Sequence, residues 1–430
     1  MKSRKCSIAG LPSPPVSFGC LRLRFFEHLT IHMKYAIIIP DGCADWSIDS
    51  LGNRTPLQAA QLPNIQALAR SGIVGRSCNV PQGFNPGSDV ATLGLLGYNS
   101  SLYYTGRAPL EAAAMGIDLA DNDWAIRCNL VTIGQATMQS FTAGHITSSE
   151  AAEIMQTLNE KLAPKSPLPL TFYPSVSYRN LAVLQNCTQP PFDQSTHTSP
   201  PHDYSDKPID QALPKGKGSD LLQFLMDESQ KILAEHPVNR CRIQNGKLPA
   251  TQIWLWGLGQ KPKLPPFRMK GAMITAVDLL RGIASLIGWD NIDVPGITGY
   301  VDTDYAAKGR YAAEALKKYD LVCVHIEAPD ESGHEGSVEK KIWSMEQIDA
   351  KIIPPIVEAL RSYGEWRLFL SPDHPTPCAI KTHTSEPVPW FLTGSGVPAM
   401  SKDYDEESVK DSPHRFENGW EMIDLVFRQA

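Results

Sequence analysis

The chain has 430 residues, 42% hydrophobic and 20% charged, with a formal net charge of −6. That length suits two or three domains, and an ordinary soluble composition with an acidic balance argues against nucleic acid or an anionic membrane surface as the main partner. No run of 18 apolar residues occurs, so no membrane-spanning helix is expected. Nine scattered cysteines with no C-x-x-C pair argue against a disulfide framework or a cysteine zinc site, and they fit a reducing cytoplasm.

Residues 1–33 are basic at Lys2, Arg4, Lys5, Arg22 and Arg24, and are interrupted by Pro12, Pro14 and Pro15. They are expected to be a disordered extension rather than a secretory signal, with Met33 the true beginning. The run Tyr35–Pro40 (YAIIIP) has the apolar, β-branched texture of a buried parallel strand, and it ends in Asp41-Gly42. Residues 55–71 carry one or two helices closed by Gly72 as the residue after the cap. A Pro86-Gly87 turn then delivers Ser88 to the start of a helical stretch, DVATLGLLGY. Ser88 has two readings, an ordinary N-cap or a hydroxyl placed where a helix N-terminus favours an anion. Arg107 sits before the helix EAAAMG, exposed or reaching for a phosphate.

From about residue 121 the texture changes. Strands are expected at 125–132, carrying Arg127, and at 176–184, carrying Arg179. An amphipathic helix is expected at 148–162 behind a Thr147/Glu150 capping box. A long loop follows at 187–218 with His202 and Asp203 inside it, and then a helix at 219–235. Residues 121–265 are therefore expected to be a smaller α+β unit inserted into a domain made of 34–120 and 266–430. The parallel-sheet texture returns at 272–277 with a helix after it. A helix is expected at 305–318, strands at 321–327, 367–371 and 390–393, a long helix at 338–363 bent at Pro354-Pro355, and a closing strand–helix segment from 396.

Three of the apolar strands run into an aspartate: Asp41, Asp330 and Asp373. Histidines stand nearby in Asp330-x-x-x-His334, Asp373-His374 and His383. Ligands bind beyond the carboxyl ends of strands in open α/β sheets, so these six residues are placed where chemistry happens. Carboxylate and imidazole together suit Mn²⁺, Zn²⁺ or Co²⁺ better than Ca²⁺. Two such ions, about 4 Å apart, clamp the attacking and leaving oxygens of a phosphoryl transfer, and Ser88 is a nucleophile that such an ion would activate.

The stretches IIIPDG, FNPGSDVA, YYTGRAPLEAA, IRCNLVT, YRNLAV, PPHD, HIEAPDESGHEG and SPDH…THT cover nearly everything from Met33 to about residue 395. They resemble the alkaline phosphatase superfamily, and within it the short, archaeal-type form of the cofactor-independent phosphoglycerate mutases. The resemblance implies an alkaline-phosphatase-like, mostly parallel sheet flanked by helices, with the inserted unit as a lid. It implies one divalent metal held by Asp330, His334 and His383, and another held by Asp41, Asp373, His374 and the Ser88 oxygen. Mn²⁺ is favoured over Mg²⁺, Zn²⁺ or Co²⁺, with no 2,3-bisphosphoglycerate required. Ser88 would carry the phosphoryl group between the two hydroxyls of glycerate, in glycolysis and gluconeogenesis, in the cytoplasm. Arg127 and Arg179 are candidates for carboxylate and phosphate contacts, and His202, Asp203 and His145 for glycerate contacts. The competing readings are a homoserine kinase-like phosphotransferase, for which no Walker-type loop is present, a metal-dependent phosphomonoesterase or nucleotide pyrophosphatase on the same core, and a non-catalytic binding module.

Overall fold

Every residue of the first strand, β1 (Lys34–Pro40), is buried. Its alternate side chains enter two different cores. Ala36 and Ile38 pack on one face of the sheet, and Tyr35, Ile37 and Ile39 on the other. A strand covered on both faces has no polar side, which is why it is a continuous apolar run in the sequence. The computed structural model describes residues 33–428, so the expectation for the first 33 residues lies, apart from Met33, outside the described residues.

After β1 the chain forms β2 (Ile73–Ser77). It then lays down β3 (Trp124–Gly134), β4 (Thr137–Ser140), β5 (Leu170–Tyr173), β6 (Arg179–Leu184) and β7 (Gln252–Gly259) as a separate antiparallel sheet. It returns with β8 (Gly271–Ile274), β9 (Asp290–Asn291), β10 (Leu321–Ile326), β11 (Trp366–Leu370), β12 (Val388–Gly394) and β13 (Arg415–Phe416). These join β1 and β2 in an eight-stranded sheet of order β13-β2-β12-β11-β1-β10-β8-β9. The sheet is mostly parallel, with β12 antiparallel to both its neighbours. β1 lies in parallel between β10 and β11, with Pro40 opposite Ile326 and Ile38 opposite Leu370. Three neighbouring parallel strands therefore end at one edge, and the segments carrying Asp41, Asp330 and Asp373 leave from it.

The antiparallel sheet has its own core, in which Ile126, Cys128 and Leu130 of β3 pack with Leu158, Leu225 and Trp254. The Thr147 hydroxyl and Glu150 form the expected reciprocal cap on the helix Ser148–Lys161. Strands β4, β5 and β7 and the helix Pro237–Gln244 are additions to the expected elements. The long loop is not free chain. It contains a 3-10 turn at Pro201–Tyr204 and bridges to β4 through Thr137–Pro208 and Met138–Ser205.

Two local expectations need correction. Gly72 does follow the Ser71 cap of the helix Pro63–Arg70, but it does not take the left-handed conformation of a helix-closing glycine. A Cβ there would collide with the Leu392 carbonyl of β12, so close backbone approach explains the residue. The helix over 338–363 is interrupted one turn before its prolines. Val338–Gln347 and Ile353–Ser362 are joined by a π-helical turn, Ile348–Ile352, a widening that accommodates the amide hydrogen bonds which Pro354 and Pro355 cannot make. Among the described residues no helix is long and apolar enough to cross a membrane, and the seven cysteines are free thiols.

Candidate metal centre and active site

At the carboxyl edge of β1, β10 and β11 the six predicted residues come together with Ser88. Asp41, Asp330, Asp373 and His374 are buried. Gly42 has a φ of +59°, and a Cβ there would strike both Thr376 and Asp330, so only glycine lets the loop after β1 turn this close to its neighbours. Asp373 accepts the Gly42 and His374 amides at 3.2 and 3.0 Å through Oδ1. The helix after β10, Ala328–Glu335, puts Asp330 and His334 four residues apart and so on one face. His334 Nε2 lies 3.2 Å from Asp330 Oδ2, and His383 Nε2 lies 3.4 Å from Asp330 Oδ1.

Ser88 is the first residue of the helix Ser88–Leu95, whose cap is Gly87. The N-cap reading therefore fails. The Ser88 hydroxyl makes no capping bond and instead lies 3.4 Å from Asp41 Oδ2 and 3.3 Å from His374 Nε2. Behind it the turn is locked by Asp89, which accepts from the Tyr104 hydroxyl at 2.7 Å and pairs with Arg107 at 3.3 Å. Arg107 is consequently half-buried rather than exposed.

The donor set fits divalent cations. Two carboxylate oxygens, Asp41 Oδ1 and Asp373 Oδ2, are fully buried without a hydrogen-bond partner, and His374 Nε2 faces them at 3.6 and 3.4 Å. Buried charge left unpaired is costly, yet no lysine or arginine pairs with Asp41, Asp330 or Asp373 among the described residues. Burial and the neighbouring Asp373 and Asp330 accordingly push the Asp41 carboxyl well above its usual range. In the other group, His334 Nδ1 is held by the Lys381 carbonyl at 3.1 Å and His383 Nδ1 by the Pro86 carbonyl at 3.2 Å. A carbonyl only accepts, so both Nδ1 atoms carry a proton and the Nε2 atoms are the ones turned toward a cation. Those Nε2 atoms stand 2.8 Å apart, close enough to share one proton that a cation would displace. His374 stands between the two groups, its ring 4.1 Å from that of His383.

Known proteins resemble this chain closely. The family model described as 2,3-bisphosphoglycerate-independent phosphoglycerate mutase matches residues 69–239. A protein of that name from Methanothrix thermoacetophila is 47% identical over 400 residues, which is 92% of this chain and 99% of that protein. The chain belongs to the 2,3-bisphosphoglycerate-independent phosphoglycerate mutase family. Among solved structures, a Pyrococcus horikoshii protein matches with a TM-score of 0.75 at 26% identity, covering 92% of this chain and 97% of its own. The cofactor-independent phosphoglycerate mutase of Thermoplasma acidophilum matches with a TM-score of 0.62 at 25% identity, covering 92% and 99%.

In this phosphoglycerate mutase family member the antiparallel sheet brings its own polar groups toward the site. A register shift in β3 against β7, between Ala125 and Arg127, aims Arg127 at Trp256. Its guanidinium lies 4.2 Å from the Trp256 ring, and Nε is 2.9 Å from Glu111 Oε2. Burial, with Arg107 and Arg179 close by, lowers the Arg127 pKa against the pull of Glu111. Arg107, Arg127 and Arg179 thus stand near one another, the first two paired with Asp89 and Glu111. Partial desolvation lowers the pKa of the surface residue His202 as well; Asp203 opposes this, while Arg107, Arg127 and His334 add to it, so His202 stands near the arginines and near His334 of the candidate metal centre. Asp203 is exposed, 3.8 Å from His202, and Arg179 is exposed at the start of β6. The structure does not gather His145. It is exposed in a tight turn, and its imidazole bonds to none of the other candidates.

Several site residues lay outside the sequence reading. His325, in β10, is fully buried with Nε2 2.9 Å from Asp41 Oδ2. Its one signal was its place inside HIEAPDESGHEG, two residues before the strand gives way to the acidic turn. Glu327 is half-buried just beyond it, and the buried Lys308 donates to the His325 carbonyl at 3.0 Å. Burial, Glu331 and Asp330 raise Glu327 to about 8, and burial lowers Lys308 to about 8. Neither had a spacing that distinguished it from ordinary helix and loop residues.

Proposed function

We propose that this chain interconverts 3-phosphoglycerate and 2-phosphoglycerate through a phosphoserine at Ser88. The observation that carries the reading is the Ser88 hydroxyl itself, free of any capping bond at a helix N-terminus and within 3.4 Å of ligand atoms of Asp41 and His374. Asp41, Asp373, His374 and the Ser88 oxygen would hold one divalent ion, and Asp330, His334 and His383 the other, with Mn²⁺ the favoured metal. When bound, the ions supply positive charge that lowers the pKa of the serine hydroxyl and offsets charge building on the phosphoryl oxygens. The Ser88 and Asp89 amides at the start of that helix would favour the same oxygens. Arg107, Arg127 and Arg179 bind the carboxylate and phosphate groups of the substrate in forked fashion, and His202 with Asp203 meets the glycerate hydroxyls.

Residues 121–265 act as a lid in this reading. They hold glycerate while it turns over and keep out the water that would hydrolyse the phosphoserine. The chain then needs no bisphosphate cofactor and works in glycolysis and gluconeogenesis in the cytoplasm. The test is a coupled assay with 3-phosphoglycerate and Mn²⁺, without 2,3-bisphosphoglycerate, following both 2-phosphoglycerate and free phosphate. The expected result is 2-phosphoglycerate from the wild type and none from Ser88→Ala, which still binds metal. Phosphate alone, or turnover by Ser88→Ala, would overturn the reading.

A further inference from the structure

All three histidines of the candidate centre present Nε2 inward, and each needs an acceptor that keeps the proton on Nδ1. For His334 and His383 those acceptors are backbone carbonyls, of Lys381 and Pro86. His374 is different. Its Nδ1 lies 3.3 Å from a hydroxyl, Thr376 Oγ1, with the Pro375 backbone also close to the ring. A hydroxyl has one proton and can donate as well as accept, so the direction of this bond depends on where that proton goes. Thr376 Oγ1 also bonds Asp330 Oδ1. As a metal ligand Asp330 is a carboxylate and accepts only. The single Thr376 proton is therefore committed to Asp330, its oxygen is left to accept from His374 Nδ1–H, and His374 Nε2 is left bare toward Ser88, Asp41 and Asp373.

We propose that Thr376 is a positioning residue that ties the two metal-ligand groups together through one directed chain of hydrogen bonds, from His374 Nδ1–H to the Thr376 hydroxyl to Asp330. The side chain is fully buried, and both ends of its residue are fixed. Its amide donates to the Ala44 carbonyl at 3.2 Å, and its carbonyl accepts from Lys341 Nζ at 2.8 Å. The hydroxyl bonds one ligand of each group, His374 and Asp330, so its loss disturbs both sites together. The outer partners of metal ligands commonly govern affinity by about 10- to 100-fold.

The inference rests on the metal pair proposed above, and one titration separates the two. Mn²⁺ is titrated calorimetrically into metal-free wild type, Thr376→Val and Thr376→Ser, with circular dichroism to confirm folding. The expected result is two ions in the wild type, both bound about 10- to 100-fold more weakly by the near-isosteric Thr376→Val, and near-native binding restored by Thr376→Ser. Fewer than two ions in the wild type overturns the metal pair and the inference with it. Two ions in the wild type, with Thr376→Val unchanged, weakened at one ion only, or matched by Thr376→Ser, overturns the inference alone. If Thr376→Val does not fold, long-range ¹H–¹⁵N correlation on Zn²⁺-loaded wild type reads the same chain. A His374 Nδ1–H protected from exchange supports it, and a rapidly exchanging or absent one overturns it.

Discussion

His325 Nε2 lies 2.9 Å from Asp41 Oδ2, with both side chains buried in the middle of the parallel sheet. The other ring nitrogen is 3.2 Å from the Thr275 hydroxyl, whose oxygen already accepts the Val277 amide. The Thr275 proton is thus free to go to Nδ1, which makes Nε2 the donor toward Asp41. Burial holds the imidazole neutral, pushing its pKa down to about 3. His325 therefore turns Asp41, fixing Oδ2 so that the unpartnered Oδ1 faces His374. His325→Leu is expected to weaken Mn²⁺ binding by about 10- to 100-fold, and His325→Gln, which keeps a donor, by less. Calorimetric titration decides it, and unchanged binding by His325→Leu would remove this role.

Arg179 and Arg127, both proposed to bind substrate, sit in different surroundings. Arg179 is exposed, whereas Arg127 is buried and paired with a largely buried Glu111. A hydrogen bond to a charged group contributes about 1.5–3 kcal/mol, so Arg179→Ala should raise KM about 10- to 100-fold and leave denaturation unchanged. Arg127→Ala strands the Glu111 carboxylate and should cost about 3–5 kcal/mol of stability. A large drop in melting temperature for Arg179→Ala, with ordinary kinetics, would contradict the contrast.

Metal uptake should depend on pH with a definite sign. Burial pulls the His334 pKa down, but the hydrogen bond and charge of Asp330 outweigh it and raise it to about 9. Below that pH the metal-free protein keeps a proton on His334 that an incoming cation displaces. Affinity therefore rises as pH rises and levels off above about 9, by about tenfold per unit for each proton released. The raised Asp41 adds in the same direction. Titration between pH 6.5 and 9.5, in buffers of different ionisation enthalpy, measures the released protons. An affinity that is flat over that range would contradict the assignment.

The strands of the eight-stranded sheet were legible because burial on both faces leaves an unmistakable apolar run, as in Tyr35–Pro40 and Leu321–Ile326. The candidate metal ligands could be placed from those strands, since a carboxylate just past such a run has one edge of the sheet to occupy. What supports the ligands was not legible. His325 lies within the apolar run itself, Thr376 looks like one more polar loop residue, and nothing in the sequence shows that Arg107 is paired, because its partner Asp89 lies a full turn-and-helix away. Short strands such as β5 lack the length that shows an alternation. Gly72 carried the right residue type for a helix end, while its cause was a backbone from the far side of the sheet.

Lys341 offers a test of how the site's loops are held. It lies on the helix Val338–Gln347, wholly buried, with Nζ 2.9 Å from Asp45 Oδ2, 2.8 Å from the Thr376 carbonyl and 3.3 Å from the Ala44 carbonyl. One ammonium thus joins the loop after β1, which carries Asp41, to the loop after β11, which carries Asp373 and His374. Asp45 Oδ2 also accepts the Cys378 amide at 3.1 Å. Removing one partner of a buried pair leaves the other uncompensated, so Lys341→Met should lose about 3–5 kcal/mol. Removing the charge of Asp45 as well should recover part of that loss. Chemical denaturation of the single variant and of Lys341→Met/Asp45→Asn measures both. If the double variant is no more stable than Lys341→Met, the loss comes from the lysine's own contacts to the two carbonyls rather than from the stranded carboxylate, and the ammonium acts as a clamp on the loop backbones.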